Sequence, residues 1–207
     1  MTSCRSIAEK PGAEAAGKIM TMHRDRRVLS GHGFALTELM ATLSVSAILL
    51  AVGVPVFNQV MASNRLTAYA NDMFATLLLA RSEAIKRNQR VVLCKSADDG
   101  QTCVGTGGWE QGWIVFVDLN NDANRAASES IVRKMPALPS GYALTGNSSI
   151  NSYVSYDPQG MTKLASGAFQ AGTFTLCPPA PAASGHGRKI VLSASGRARV
   201  SKITNCA

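Results

Sequence analysis

From Phe34 to Val60 the chain reads FALTELMATLSVSAILLAVGVPVFNQV, an apolar run with a single charge, Glu38. Coiled as a helix at about 1.5 Å per residue, such a run is long enough to cross a hydrocarbon core of about 30 Å. The rival reading is a secretory signal. A signal has a shorter apolar core, followed by small residues of the Ala-x-Ala kind at the cleavage point. No clear site of that kind follows the run, and helical periodicity continues past it. A retained membrane helix is therefore expected over residues 34–60. Arg24, Arg26 and Arg27 precede it, whereas no basic residue lies between Phe34 and Arg65. That asymmetry places the N-terminus in the cytoplasm and the C-terminal body on the far side of the membrane. Glu38 is the anomaly, because a carboxylate in lipid costs roughly 2.5–3.5 kcal/mol on insertion scales and marks a functional position by default. The plainer alternative is that it lies among the headgroups.

Beyond the run, apolar residues fall at 66, 70, 73, 74, 77, 78, 84 and 85, one face of a helix of period 3.6. One helix from about 35 to 89 is expected, its second half, 61–89, amphipathic and packed on a sheet. From Arg90 the texture changes. Arg90–Leu93, Trp113–Asp118, Ser130–Met135, Tyr142–Leu144, Thr173–Leu176 and Lys189–Ser193 read as short strands between Gly-, Asn-, Ser- and Pro-rich turns. Residues 178–188 are a low-complexity loop. The expected fold class is α+β: a long N-terminal helix, transmembrane then amphipathic, on a β-rich head over residues 90–207. Residues 1–33 form a separate leader, and Met20 and Met22 offer alternative starts within it.

The cysteines bear on the compartment. Cys4 lies in the leader, and the body holds an even set, Cys94, Cys103, Cys177 and Cys206. No CxxC occurs, so a zinc site is poorly supported, whereas disulfides suit an oxidising space beyond a membrane. Three pairings are open. Cys94–Cys103 with Cys177–Cys206 is favoured because each closes a loop within one neighbourhood of the sequence.

The net charge of +8 is unevenly spread. No acidic residue follows Asp157, while Lys163, Arg188, Lys189, Arg197, Arg199 and Lys202 all do. Such a tail attracts polyanions, or is simply a solvated basic face. Gly196 permits a tight turn. Arg197 and Arg199, two apart, share one side of an extended strand at about 7 Å spacing. No aromatic residue follows Phe174, which favours phosphate contact over base stacking. A second motif, Asp118, Asn120, Asp122 and Glu129, has calcium-loop spacing. Ala123, however, stands where the sharp turn wants Gly, so a polar loop is the favoured reading. Only His186 remains outside the leader, which leaves no paired His for nucleophilic catalysis. No enzyme activity, cofactor, metal or small-molecule substrate is expected.

Gly33-Phe34-Ala35-Leu36-Thr37-Glu38-Leu39-Met40 resembles the type IV prepilin motif. The resemblance implies that a prepilin peptidase cuts after Gly33 and that Phe34 becomes N-methylated. It also implies that Glu38 registers the subunit against its neighbours in a filament. A freed amine on Phe34 of one subunit has the right charge to meet Glu38 of the next. Ala35 departs from the usual Thr, and Pro55 matches a helix-loosening Pro of the family. Three further segments resemble the GspH/FimT branch: Ala80–Asn88, the stretch Gly108–Asp122 with Trp109 and Trp113, and Val191–Arg199 with its Gly-Arg-x-Arg ending. This implies an inner-membrane subunit with an external head, partnered by other pilins or pseudopilins. In FimT-type proteins that tail is associated with binding incoming double-stranded DNA in natural transformation. Gly196, Arg197 and Arg199 match it, and Arg188, Lys189 and Lys202 are expected to join the DNA-binding set. The alternative is a GspH-type minor pseudopilin of a type II secretion system, without DNA binding.

Overall fold

A computed structural model describes residues 35–97, 100–179 and 186–206. The expected cleavage site at Gly33–Phe34 lies outside the described residues. The chain divides into two units, Met1–Val45 and Ser46–Ala207. The described part of the first is the beginning of helix α1, Leu36–Arg87. The backbone N–H groups of Glu38 and Leu39 both donate to the Ala35 carbonyl, at 2.9 and 3.2 Å. Glu38 is thus in the first turn, where the helix dipole favours a carboxylate.

In the second unit α1 runs on, with Pro55 inside it. Its apolar side chains stay exposed as far as Met61. From there the helix becomes one-sided. Leu66, Ala70, Met73, Leu77, Ala80 and Ala84 are buried, at alternating steps of four and three. The alanines in this stripe let the helix backbone come close to the sheets. Leu78 and Ile85, read from periodicity as part of the apolar face, are exposed, and Phe74 is half-buried. Asn88 ends the helix at φ +52. Its N–H reaches the Ile85 carbonyl at 3.3 Å, and the Gln89 N–H reaches Ala84 at 3.2 Å. Two orphan carbonyls of the last turn are satisfied by this left-handed cap.

The head is two four-stranded antiparallel sheets. The first has the order β3 (Ile131–Met135), β2 (Trp113–Val117), β1 (Val91–Lys95), β5 (Tyr153–Tyr156). The second has the order β4 (Ala143–Gly146), β6 (Gly172–Cys177), β7 (Gly187–Leu192), β8 (Ala198–Ile203). Val91, Leu93, Val115 and Val154 of the first sheet and Leu144, Phe174, Leu176 and Ile190 of the second share one core with the helix stripe. Trp109 sits in it, edge-on to Phe174 at 5.1 Å, with its indole N–H donated to the Ile150 carbonyl at 3.1 Å. The other face of the first sheet is covered as well, by Val92, Cys94, Ile114 and Phe116 packed with Ala123. Both faces of β1 and β2 are therefore buried, which is why these strands read as unbroken apolar runs rather than alternating ones.

Disulfides Cys94–Cys103 and Cys177–Cys206 are formed, with Cα atoms 5.6 and 5.7 Å apart. The second spans 29 residues of sequence, for which chain entropy predicts about 3.5 kcal/mol of stabilisation. It fastens the C-terminus to the end of β6.

Asp157 organises the turn after β5. Its carboxylate accepts the N–H groups of Gln159 and Met161 at 3.0 and 2.9 Å and pairs with Lys163 Nζ at 3.0 Å. Burial pushes this carboxyl up, but Lys163 and the two amides outweigh it and hold it below the ordinary carboxylate range. A group depressed on folding stabilises fully above its unfolded value of about 3.9, and that stabilisation is lost as pH falls through the folded value. Melting temperature is therefore expected to fall more steeply below about pH 4 for the native chain than for Asp157→Asn. Parallel curves in a pH series of thermal melts would remove Asp157 from the acid response.

Candidate functional site

Hairpin β7–β8 carries the basic tail, and its turn explains Gly196. The Gly196 N–H donates to the Ser193 carbonyl at 2.9 Å, and Ser193 N–H to the Arg197 carbonyl at 3.0 Å. Gly196 is buried at φ +75, and a Cβ there would run into the Gly160 carbonyl oxygen. Assigned above to DNA contact, Gly196 instead fixes the turn, with its Cα packed inward.

The register sorts the charges. Lys189 pairs with Ser201, Val191 with Arg199, and Arg188 with Lys202. Directly paired residues share a face, and faces alternate along a strand. Arg199, Lys189 and Ser201 therefore lie on the outer face, and Arg197, two before Arg199, joins them. Arg188 and Lys202 lie on the other face, with Ile190, Leu192 and Val200. The outer face continues across the sheet, since Lys189 pairs with Thr175 and Thr175 with Thr145. Thr145, Thr175, Lys189 and Ser201 thus form one row perpendicular to the strands, and Thr173, Val191 and Arg199 form the next. None of these positions is acidic. Lys189 and Arg199 are diagonal neighbours, about 7 Å apart.

Two of the expected DNA contacts lie off the outer face. Arg188 is only 5% exposed. Its guanidinium donates to Thr67 Oγ1 at 2.9 Å, to Ser63 Oγ at 3.4 Å and to the Gly187 carbonyl at 3.0 Å. A side chain spent on the helix in this way is withdrawn from the outer surface. Lys202 is exposed but odd in register, so it faces away from Arg199. The threonine rows were missed from sequence. The Thr-x-Thr alternation at 173 and 175 was visible, but its alignment with Lys189 depends on a pairing between β6 and β7 that no local pattern specifies.

The loop of calcium-like spacing is held by its own backbone. Asp118 accepts the N–H groups of Asn121 and Ala123 at 2.6 and 3.1 Å, and Glu129 accepts those of Leu119 and Ala126 at 2.8 and 2.9 Å. Ala123 takes the left-handed turn, at φ +59, where glycine was wanted. Burial pushes the Asp118 carboxyl up, opposed by the two amides and reinforced by the charges of Glu129 and Asp122. Among the described residues no cluster of His, Cys, Asp and Glu has the makings of a metal site.

Comparison with known proteins adds to this geometry. The family described as Type II transport protein GspH matches residues 69–196, more than half of the chain. The type IV minor pilin FimU of Pseudomonas aeruginosa is similar in fold at 18% identity, covering 67% of this chain and 90% of that one, with a TM-score of 0.50. The minor pseudopilin EpsH from the type 2 secretion system of Vibrio cholerae aligns at 16% identity over 66% of this chain and 95% of its own, with a TM-score of 0.41. No curated protein matches.

Proposed function

The chain belongs to the GspH family, and we infer that it serves as a minor pilin or pseudopilin without enzymatic activity. From that premise we propose that it is a FimT-type subunit which binds double-stranded DNA through the outer face of its second sheet. The observation that carries this reading is the register, which brings Lys189, Arg197 and Arg199 onto one acid-free face lined with threonine hydroxyls. Such a face suits a phosphate backbone. Guanidinium groups bind phosphate oxygens bidentately, and hydroxyls add contacts. The head stands outside the inner membrane and the N-terminus in the cytoplasm. A prepilin peptidase cuts at Gly33, Phe34 is methylated, and Glu38 pairs with a neighbouring subunit in the filament.

The test is an electrophoretic shift of duplex DNA by the full chain in non-ionic detergent across a salt series. The native chain is expected to retard DNA regardless of sequence. Arg197→Gln/Arg199→Gln should weaken retention at least tenfold at low salt. It should also flatten the log–log salt slope by about 2, at about 0.9 per lost phosphate contact. No retention at low salt would sink the DNA reading. The assignment would then revert to a secretion pseudopilin, which the description of the matched family favours.

A further inference from the structure

The two cations that the register removes from the outer face stand together elsewhere. Arg188 is anchored to Ser63 and Thr67 of α1, and Lys202 is its cross-strand partner on the same face. This level of the helix comes just after Met61, the last of its consecutive exposed apolar side chains. Arg65 belongs to the same level. At about 100° per residue it lies on the opposite flank of the helix from Ser63 and Thr67. There it is close enough to Tyr142 to act on its phenol electrostatically. Cations therefore flank the helix on both sides within about 10 Å of rise beyond Met61.

Among the described residues no acidic side chain forms an ion pair with any of the three. Between Glu38 and Asp72 there is no acidic residue, and none follows Asp157. Among the described residues, the ion pairs that form involve Glu83 with Lys86 and Arg87, and Asp157 with Lys163. Arg188 is buried with only hydroxyl and carbonyl acceptors. A buried cation without a carboxylate is costly unless an anion lies close by. The second disulfide holds this end of the sheet in place. Cys206 sits against Gly187, and its sulfur lies 4.0 Å from the Leu176 carbonyl.

We infer that Arg65, Arg188 and Lys202 form a collar that binds the phosphates of anionic lipid headgroups where α1 leaves the bilayer. Headgroups occupy a layer roughly 5–8 Å deep beyond the hydrocarbon, and long basic side chains reach down into it. Arg65 and Lys202, both exposed, make the direct contacts. Arg188 adds its charge from behind and holds the sheet at that height. The collar sets the depth and tilt of the head on the membrane before extraction into a filament. It lies on the opposite face of hairpin β7–β8 from the proposed DNA face, and Arg197 and its turn lie at the other end of the hairpin, by Gly160, Arg81 and Ile85.

The experiment is native mass spectrometry of the full chain released from zwitterionic micelles doped with phosphatidylglycerol, phosphatidylcholine or inorganic phosphate. The native chain is expected to retain phosphatidylglycerol over phosphatidylcholine. Arg65→Gln/Lys202→Gln should lose that preference by about 25-fold, at about fivefold per cation beside an anionic surface. Arg197→Gln/Arg199→Gln should keep it. Equal retention of the two lipids by the native chain would overturn the collar. So would inorganic phosphate competing as well as the lipid, which would assign the cations to soluble anions. Loss of DNA retention with unchanged lipid preference in Arg65→Gln/Lys202→Gln would also overturn it, and would move the DNA contact to this end of the hairpin.

Discussion

Gly196→Val is expected to lower the melting temperature of the full chain by about 10 °C, while Arg197→Gln and Arg199→Gln leave it within about 2 °C. A left-handed conformation costs a non-glycine residue about 1–2 kcal/mol, and more when the residue is β-branched. Gly196 is at φ +75, and the added Cβ would also meet the Gly160 carbonyl oxygen. That carbonyl has little room to retreat. Gly160 is itself at φ +74, and even a Cβ at Gly160 would come within 2.8 Å of Ile85 and 3.0 Å of Arg81 on the helix. Displacing packed backbone adds a further 1–3 kcal/mol or so, for a total near 3 kcal/mol. At roughly 2–4 °C per kcal/mol for a chain of this size, the shift is about 10 °C. The glycine of the Gly-Arg-x-Arg ending thus acts on architecture and the arginines act on the ligand. Calorimetry on the three variants separates the two roles. An unchanged melting temperature in Gly196→Val, with DNA retention lost, would instead put the glycine at the phosphate.

The same division shows which parts of the structure were legible in the sequence. The stripe at 66, 70, 73, 77 and 84 was readable because each residue declares its side of a helix through periodicity alone. Ala80 was left out of the count, although Ala70 and Ala84, on the same face, were in it. Ala80 is buried because the helix needs a small side chain where it approaches the sheets. Strands β1 and β2 were readable as dense apolar runs. Tyr153–Tyr156 was not, and of Ala198–Ile203 only the extended spacing of Arg197 and Arg199 was. Tyr153–Tyr156 is only four residues long and sits between an Asn-Ser turn and Asp157-Pro158. Ala198–Ile203 is an edge strand whose Arg199, Ser201 and Lys202 face water, so its composition resembles a polar tail. The disulfides were readable because both close short stretches of chain. The destination of Arg188 was not, because its partners Ser63 and Thr67 are more than 120 residues away in sequence. Six cations in an acid-free tail look like one feature in sequence. The fold divides them: Lys189, Arg197 and Arg199 on an outer face, Arg188 in contact with the helix and Lys202 on the same face as Arg188, and Lys163 in an ion pair with Asp157.

Glu38→Ala is expected to leave membrane insertion intact and to lower incorporation into filaments by about a hundredfold or more. The two effects have opposite physical origins. For a lone subunit in the bilayer, removing a carboxylate relieves an insertion penalty of roughly 2.5–3.5 kcal/mol, so the membrane pool does not shrink. In a filament the proposed partner of Glu38 is the methylated amine of Phe34 on a neighbouring subunit, which stays cationic after methylation. Removing one member of such a pair in an apolar bundle strands the other, at a cost of about 3–5 kcal/mol. That converts to a factor of 10² or more in the equilibrium between membrane and filament. The helix dipole offers a competing role, because Glu38 sits in the first turn of α1. A dipole contribution is worth only about 0.3–1 kcal/mol, which would lower helix stability slightly and filament incorporation hardly at all. Fractionation of cells expressing the filament machinery, with the chain quantified in membrane and sheared-filament pools, distinguishes the two. Glu38→Gln serves as the control that keeps the size and removes the charge. It should behave like Glu38→Ala if charge pairing governs assembly. Mass spectrometry of the filament pool should find chains beginning at methylated Phe34, because only a cut after Gly33 creates the amine that Glu38 needs. Equal incorporation of Glu38→Ala and native chains, or filaments built from uncut chains, would end the pairing proposal.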